Sequence, residues 1–253
     1  MPSTFSVIIP ARLKSTRLPN KMLADIAGKP LIYHTWHNAC KSSASDVIIA
    51  CDDQQIYDVC TQFGARVVLT STNHISGTSR LSEACAILKL AAKHIVVNVQ
   101  GDEPLLPANL INQVAANLAR NNNAHIATLA HKITNANELF NPDIVKVVTN
   151  KLGFALNFSR APMPWARDDF IYSKNSLPAN FTWLRHIGIY AYSAGFIKQY
   201  VEFSSCELED CEKLEQLRAM WHGYNIHVAT CADIPPAGVD SRDDLLRVRS
   251  ILQ

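Results

Sequence analysis

The sequence predicts a doubly wound, mostly parallel α/β sheet of Rossmann-like type with a smaller α+β lobe, and three observations predict it. Strand-like and helix-like segments alternate through the first half of the chain. The run from Phe5 to Ala11 is rich in Val and Ile and carries no charge, as a central strand covered on both faces must be. Three cations, Arg12, Arg17 and Lys21, follow it directly, where ligands of such sheets bind, outside the carboxyl end of a strand.

The elements follow in order. After the first strand comes a helix from Pro30 to about Ser42, then a strand from Asp46 to Cys51, a helix from Gln54 to Phe63 and a strand from Arg66 to Leu69. Helix 80–92, strand 94–99, helix 107–120 and strand 124–130 continue the alternation. Pro30 and Pro107 suit the first turn of a helix, where an amide has no helical partner. Beyond about residue 134 the rhythm changes: Ile144 to Thr149 and Ala155 to Arg160 read as strands, and 162–182 as a long loop rich in Pro, Asn and Ser. The spacing of Leu208, Cys211, Leu214, Leu217 and Trp221 predicts one helix from Glu207 to Trp221. Glu215 and Arg218 fall inside its apolar arc, so they need each other or a ligand. A last amphipathic helix spans Asp240 to Leu252. This divides the chain into a core at 1–133, a smaller lobe at 134–205 and a return to the core at 206–253, all in one integrated domain.

Composition narrows the function classes. A chain of 253 residues can bury a full core. A net charge of +2, from 24 basic and 22 acidic residues, gives no field that would favour nucleic acid or an acidic membrane. Any cationic site must therefore be local. No apolar stretch reaches the length of a membrane span and the amino terminus lacks a signal peptide's regions, so a cytoplasmic protein is expected. Seven scattered cysteines without a CxxC pair argue for reduced thiols. His34 and His37 lie three apart on a helix but lack a carboxylate motif for a metal.

Two arginines and a lysine at a strand mouth suit the roughly four negative charges of a nucleoside triphosphate, with Ser15 and Thr16 adding hydroxyls. A solvated basic loop is the plainer reading. In Val96-Val97-Asn98-Val99-Gln100-Gly101-Asp102-Glu103-Pro104 a second apolar strand ends in a Gly and a carboxylate. Asp102 could anchor a divalent cation beside a triphosphate, since magnesium takes one or two carboxylates and completes its shell with water and phosphate oxygens. Equally, Gly101-Asp102 could be a turn. The small residues of Ser76-Gly77-Thr78-Ser79-Arg80 can bring backbone close to a flat base while Arg80 reaches toward phosphate. Asp240 is either a second carboxylate or a helix N-cap, His186 a pocket or a core residue, and Arg160 a carboxylate clamp or a solvated cation. GxSxG, GxxxxGK[ST] and GxGxxG are all absent, so hydrolase and dehydrogenase readings have no motif.

Taken in order, Ile9-Pro10-Ala11-Arg12 with Ser15-Thr16-Arg17-Leu18-Pro19 and Lys21, Ser76-Gly77-Thr78, Asn98 to Pro104, Phe158-Ser159-Arg160, Arg185 to Tyr190, Leu214-Glu215-Gln216-Leu217-Arg218 and Val239-Asp240 closely resemble the 3-deoxy-manno-octulosonate cytidylyltransferase family over essentially the whole chain. The resemblance implies the nucleotide-diphospho-sugar transferase type of fold. It implies transfer of a cytidylyl group from CTP to the acid sugar 3-deoxy-D-manno-octulosonate (KDO), on the route to lipopolysaccharide, by a magnesium-dependent homodimer. By position it implies a triphosphate loop at Arg12, Ser15, Arg17 and Lys21, a nucleotide contact at Ser76, Gly77 and Arg80, and metal carboxylates at Asp102 and Asp240. Arg12, Lys21, Asp102 and Asp240 become the catalytic set. The sugar pocket falls on Gln100, Arg160, His186, Tyr190, Glu215 and Gln216. Three positions depart from the family pattern: Asn20 replaces a Gly, Ser79 an acidic residue and Cys51 a Thr. Asn20 is compatible with a left-handed turn.

Overall fold

The computed structural model describes residues 4–15 and 17–253; Thr16, one of the hydroxyls assigned to the triphosphate loop, lies outside them. The strands are β1 (Phe5–Ala11), β2 (Asp25–Ile26), β3 (Lys29–Pro30), β4 (Asp46–Cys51), β5 (Arg66–Leu69), β6 (Ile95–Asn98), β7 (Ile126–Lys132), β8 (Lys146–Thr149), β9 (Ala155–Ser159), β10 (Leu184–Ser193) and β11 (Ile226–Thr230). The helices are α1 (Leu31–Ala39), α2 (Gln54–Gln62), α3 (Gly77–Ile87), α4 (Ala108–Arg120), α5 (Ala136–Phe140), α6 (Arg167–Phe170), α7 (Ala194–Tyr200), α8 (Glu207–Glu212), α9 (Gln216–Trp221) and α10 (Arg242–Leu252).

Among the described residues one sheet runs β11-β7-β10-β6-β1-β4-β5, with β8 and β9 attached through β10. Every residue of β1 is buried, which is why an unbroken apolar run was needed there. Val7 and Ile9 face one layer, with Ile32, Ile56, Leu110 and Val114 from α1, α2 and α4. Ile8 faces the other, with Leu81, Phe196, Ile197 and Leu217 from α3, α7 and α9. Each such side chain contributes about 1.5–3 kcal/mol on burial.

The pairs β1–β4, β1–β6, β4–β5 and β7–β11 are parallel. β10 lies between β6 and β7 and runs antiparallel to both, a direction that hydrophobic periodicity does not encode. Between Ile187, opposite Leu129, and Tyr190, opposite Thr128, two residues of β10 have no partner on β7. Such a bulge bends a strand locally and re-aims its side chains.

Several boundaries move for identifiable reasons. The helix expected at 80–92 begins at Gly77, because Ser76 and Ser79 form a capping box, and stops at Ile87, ahead of Lys89 at φ +53°. The single helix expected from Glu207 to Trp221 is two, broken at Lys213 with φ +54°. The break turns the halves apart, so Leu214 and Leu217 are buried while Leu208, Cys211 and Trp221 are exposed. The loop at 162–182 contains α6 and packs a small core of Ile133, Leu139, Phe170 and Trp183. His34 bonds Ile26 O at 2.8 Å and His37 stacks on Tyr33. Five of the seven cysteines are buried. No helix among the described residues is long and apolar enough to cross a membrane.

Candidate active site

The carboxyl ends of β1 and β6, the start of α3 and the segment before α10 surround a cleft of about 550 Å³. Arg12, Ser15, Arg17, Lys21, Ser76, Gly77, Arg80, Gln100, Asp102, Glu215 and Asp240 all line it. A smaller cavity of about 110 Å³ adjoins it and shares Gly77, Gln100 and Glu215; Tyr190 and Gln216 belong to its wall. Sequence positions from 12 to 240 thus converge on one mouth.

Lys21 sets the geometry. Asn20 takes the left-handed conformation (φ +54°) that the Gly-to-Asn departure required, and turns the chain into a short 3-10 segment. Lys21 is only 7% exposed. Its ammonium donates to Asp102 Oδ2 at 2.6 Å and to Asp240 Oδ1 at 3.1 Å. Arg17 reaches the same Asp240 oxygen at 3.0 Å. Asp240 is therefore not the N-cap of α10; Ser241 caps that helix in a reciprocal box with Asp244. Arg12 is exposed and makes no ion pair among the described residues.

Two glycines allow the carboxylate segments to close on this point. A Cβ on Gly101 would sit 2.9 Å from both Pro10 O and Met22 Sδ, and one on Gly238 would sit 2.9 Å from Asp102 O. Thr35 donates to Gly101 O at 2.8 Å and Val239 N to Asp102 O at 2.8 Å, so the loop carrying Asp102 is held from both sides. Glu103, which sequence reasoning left without a role, also lines the cleft. Burial, then Asp102 and Asp240, push its carboxyl up to about 8. The adjacent pair Asp102-Glu103 was the sequence signal that could have found it.

Arg80 differs from expectation. It is 3% exposed and donates to Asp52 at 2.9 Å, Thr70 Oγ1 at 2.7 Å and Ser71 O at 3.2 Å. Asp52 also accepts from Leu13 N at 3.0 Å. Rather than reaching toward phosphate, the guanidinium ties α3 to the loop after β1. Arg218 pairs with Glu209, not with Glu215.

Within the inner cavity, Asn98 Oδ1, Glu215 Oε1 and Gln216 Nε2 are buried without a hydrogen-bond partner among the described residues. Buried polar atoms in that state call for water or ligand. Desolvation raises the Glu215 pKa, against nearby Thr78, Arg218 and Ser76, which lower it. Tyr190 is likewise pushed up by burial and by Glu215. Arg160 lines neither space: Nε donates to Glu212 O at 2.9 Å and Nη1 to Pro142 O at 3.1 Å.

His186 packs between Phe158 and Tyr190, at ring distances of 5.0 and 5.4 Å. Thr128 Oγ lies 2.7 Å from Ile189 O, 3.1 Å from Ile187 O and 3.0 Å from His186 Nε2. One hydroxyl proton goes to a carbonyl, so Nε2–H donates to Thr128 Oγ, an assignment from bond counting. Burial lowers the His186 pKa from 6.5 to about 3, so the ring is neutral at pH 7. With the folded-state value depressed, the unfolded chain binds the extra proton between pH 6.5 and about 3. Stability is thus expected to fall as pH drops through that window, by up to ~1.4 kcal/mol per unit from this group. Urea unfolding at roughly pH 7, 6 and 5 should show a shallower acid loss in His186→Gln than in the wild type; parallel curves would remove His186 as the cause.

Comparison with known proteins gives the family and the fold. A family model described as cytidylyltransferase matches residues 6–226. The chain is 56% identical to the 3-deoxy-manno-octulosonate cytidylyltransferase of Pseudomonas fluorescens and 55% identical to that of Pseudomonas syringae pv. tomato, over the full length of each. A solved CMP:2-keto-3-deoxy-manno-octonic acid synthetase complexed with CTP superposes with a TM-score of 0.88 at 36% identity, over 98% of both chains. A 4-diphosphocytidyl-2C-methyl-D-erythritol synthase, 13% identical with a TM-score of 0.63 over both full chains, shares the fold alone. With its acidic and basic strand mouths meeting at Lys21 and its whole length matched, the chain belongs to the cytidylyltransferase family, among the 3-deoxy-manno-octulosonate cytidylyltransferases.

Proposed function

We infer that this enzyme transfers the cytidylyl group of CTP to KDO and releases pyrophosphate. The observation that carries the reading is the Lys21 ammonium clasped between Asp102 and Asp240 at the floor of a cleft rimmed by Arg12 and Arg17. The anomeric hydroxyl of the acid sugar attacks the α-phosphorus, an O–P bond forms as the hydroxyl proton passes to solvent, and the bond to the β-phosphate breaks with pyrophosphate taking its electron pair. No covalent enzyme intermediate is needed. Positioning and charge neutralisation then carry catalysis.

Arg12, Arg17 and Lys21 neutralise the departing pyrophosphate, while Ser15 and the Ser76-Gly77 turn hold the nucleotide. Gln100, Tyr190, Glu215 and Gln216 offer hydrogen bonds to the sugar's hydroxyls from the inner cavity, with neutral His186 bracing Tyr190. The donor set fits magnesium: two carboxylates already converge on one cation. Among the described residues no third His, Cys, Asp or Glu completes a metal cluster with them, and magnesium characteristically leaves its other positions to water and phosphate. Asp102 and Asp240 would hold it, and when bound it supplies Lewis acidity toward phosphate and hydroxyl oxygens. Arg160 serves the sugar carboxylate only by leaving the carbonyls of Glu212 and Pro142. Homodimerisation and a cytoplasmic location complete the reading.

Pyrophosphate release tests it. With CTP and magnesium, KDO should give strong release, and 8-amino-KDO, N-acetylneuraminate and a no-acceptor control should give little. Release only with another acceptor would keep the chemistry and change the sugar. Silence with all three would leave a non-catalytic nucleotide-sugar-binding module.

A further inference from the structure

Lys213 sits in the left-handed region at φ +54°, ψ +44°, without being Gly or Asn. A lysine stays there only when its surroundings over-determine the backbone. Its own N–H caps α8 on Glu209 O at 2.7 Å, and the residue before it ties the bend to the lobe. The Glu212 carboxylate accepts from Ser159 Oγ at 2.5 Å and from Arg160 N at 2.9 Å, and its carbonyl accepts from Arg160 Nε at 2.9 Å. Its own anchor is firm: Lys146, with no exposed surface, donates to Arg160 O, Ile144 O and Asn141 O. Three residues beyond Glu212, the chain presents Glu215 and Gln216 to the inner cavity with Oε1 and Nε2 unpartnered. Tyr200 Oη holds the Glu215 carbonyl from the other side at 2.7 Å.

We infer that Glu212 is a positioning residue for the acceptor pocket: gripped by the end of β9, it fixes the bend at Lys213 that aims Glu215 and Gln216 into the inner cavity. It touches no substrate itself. Its grip reaches from a strand of the lobe to the helix pair, so it couples the two at the point where the acceptor binds. This rests on the reading of that cavity as the acid-sugar site.

Two variants test it, Glu212→Ala and Ser159→Ala, the second removing only one of the two bonds to the Glu212 carboxylate, together with the Ala161 N bond to Ser159 Oγ, in case the first fails to fold. In both, amides 213–217 should exchange with deuterium about tenfold faster or more, because a hydrogen-bonded restraint on the bend is gone. The KM for KDO should rise about tenfold in Glu212→Ala while the KM for CTP stays within about twofold. Glu212→Gln, which keeps one acceptor oxygen, should recover part of both effects. Unchanged exchange at 213–217 would overturn the inference whatever the acceptor. A parallel rise in both KM values, tracking lost stability, would reduce Glu212 to a structural residue and overturn it too. Wild-type silence with KDO would instead reject the acceptor reading alone, leaving the exchange result to decide the bend.

Discussion

Asp102→Asn is expected to leave a folded protein whose turnover has dropped on the order of 10³-fold. The replacement keeps the shape of the side chain, and its amide oxygen can still accept from Lys21. The bonds that hold the loop use backbone, Thr35 to Gly101 O and Val239 to Asp102 O, so they survive. What disappears is one of two negative charges converging on a single cation position. Catalysis that depends on aligned charge rather than on a nucleophile loses most when such a group is neutralised in a site partly shielded from water. Pyrophosphate release should collapse while the far-UV circular dichroism spectrum and melting temperature stay close to wild type. A variant retaining more than about a tenth of wild-type turnover would dismiss the carboxylate's role.

Lys146→Met should give the largest loss of stability, about 3 kcal/mol, on the order of 10 °C in melting temperature. Methionine is one atom shorter, lacking the ammonium, and fills most of the same space, so packing changes little. The carbonyls of Ile144 and Arg160 lose their donor, while Asn141 O keeps Ile144 N at 3.2 Å, and buried acceptors left alone cost about 1–3 kcal/mol each. Part of this is returned because burying an ammonium is itself unfavourable: desolvation lowers the Lys146 pKa, with Glu212 opposing that shift. Urea denaturation checks the sum. A variant as stable as wild type would mean that the carbonyls of Ile144 and Arg160 find other donors.

The sequence carried the order of the elements and the mouth of the cleft, because both are written locally. An uncharged Val/Ile run marks a buried strand, and the residues after it in a doubly wound sheet fall at the ligand-binding edge. Arg12, Lys21 and Asp102 were therefore legible as residues of the cleft mouth, whereas Glu215 stood out only as a charge inside an apolar helical arc. Partnerships across the chain were not. Arg80 finds Asp52 through α3 packing on the sheet, and Arg160 finds Glu212 through the lobe, at separations of 28 and 52 residues. The break at Lys213 left no trace either, since Leu208, Cys211, Leu214, Leu217 and Trp221 keep helical spacing straight through it. Tertiary restraint, not local propensity, bends the chain there. The antiparallel insertion of β10 depends on the path of the lobe that precedes it.

The clasp at Lys21 has a kinetic meaning as well. Its two partners lie 81 and 219 residues away along the chain, and closing such long intervals costs entropy before any contact rewards it. A partly folded chain can form β1, β4 and their helices, yet its lysine has no second carboxylate until α10 docks. On the proposed reading of the clasp, activity reports completion of the whole fold, and a chain with only its nucleotide half formed should be catalytically silent.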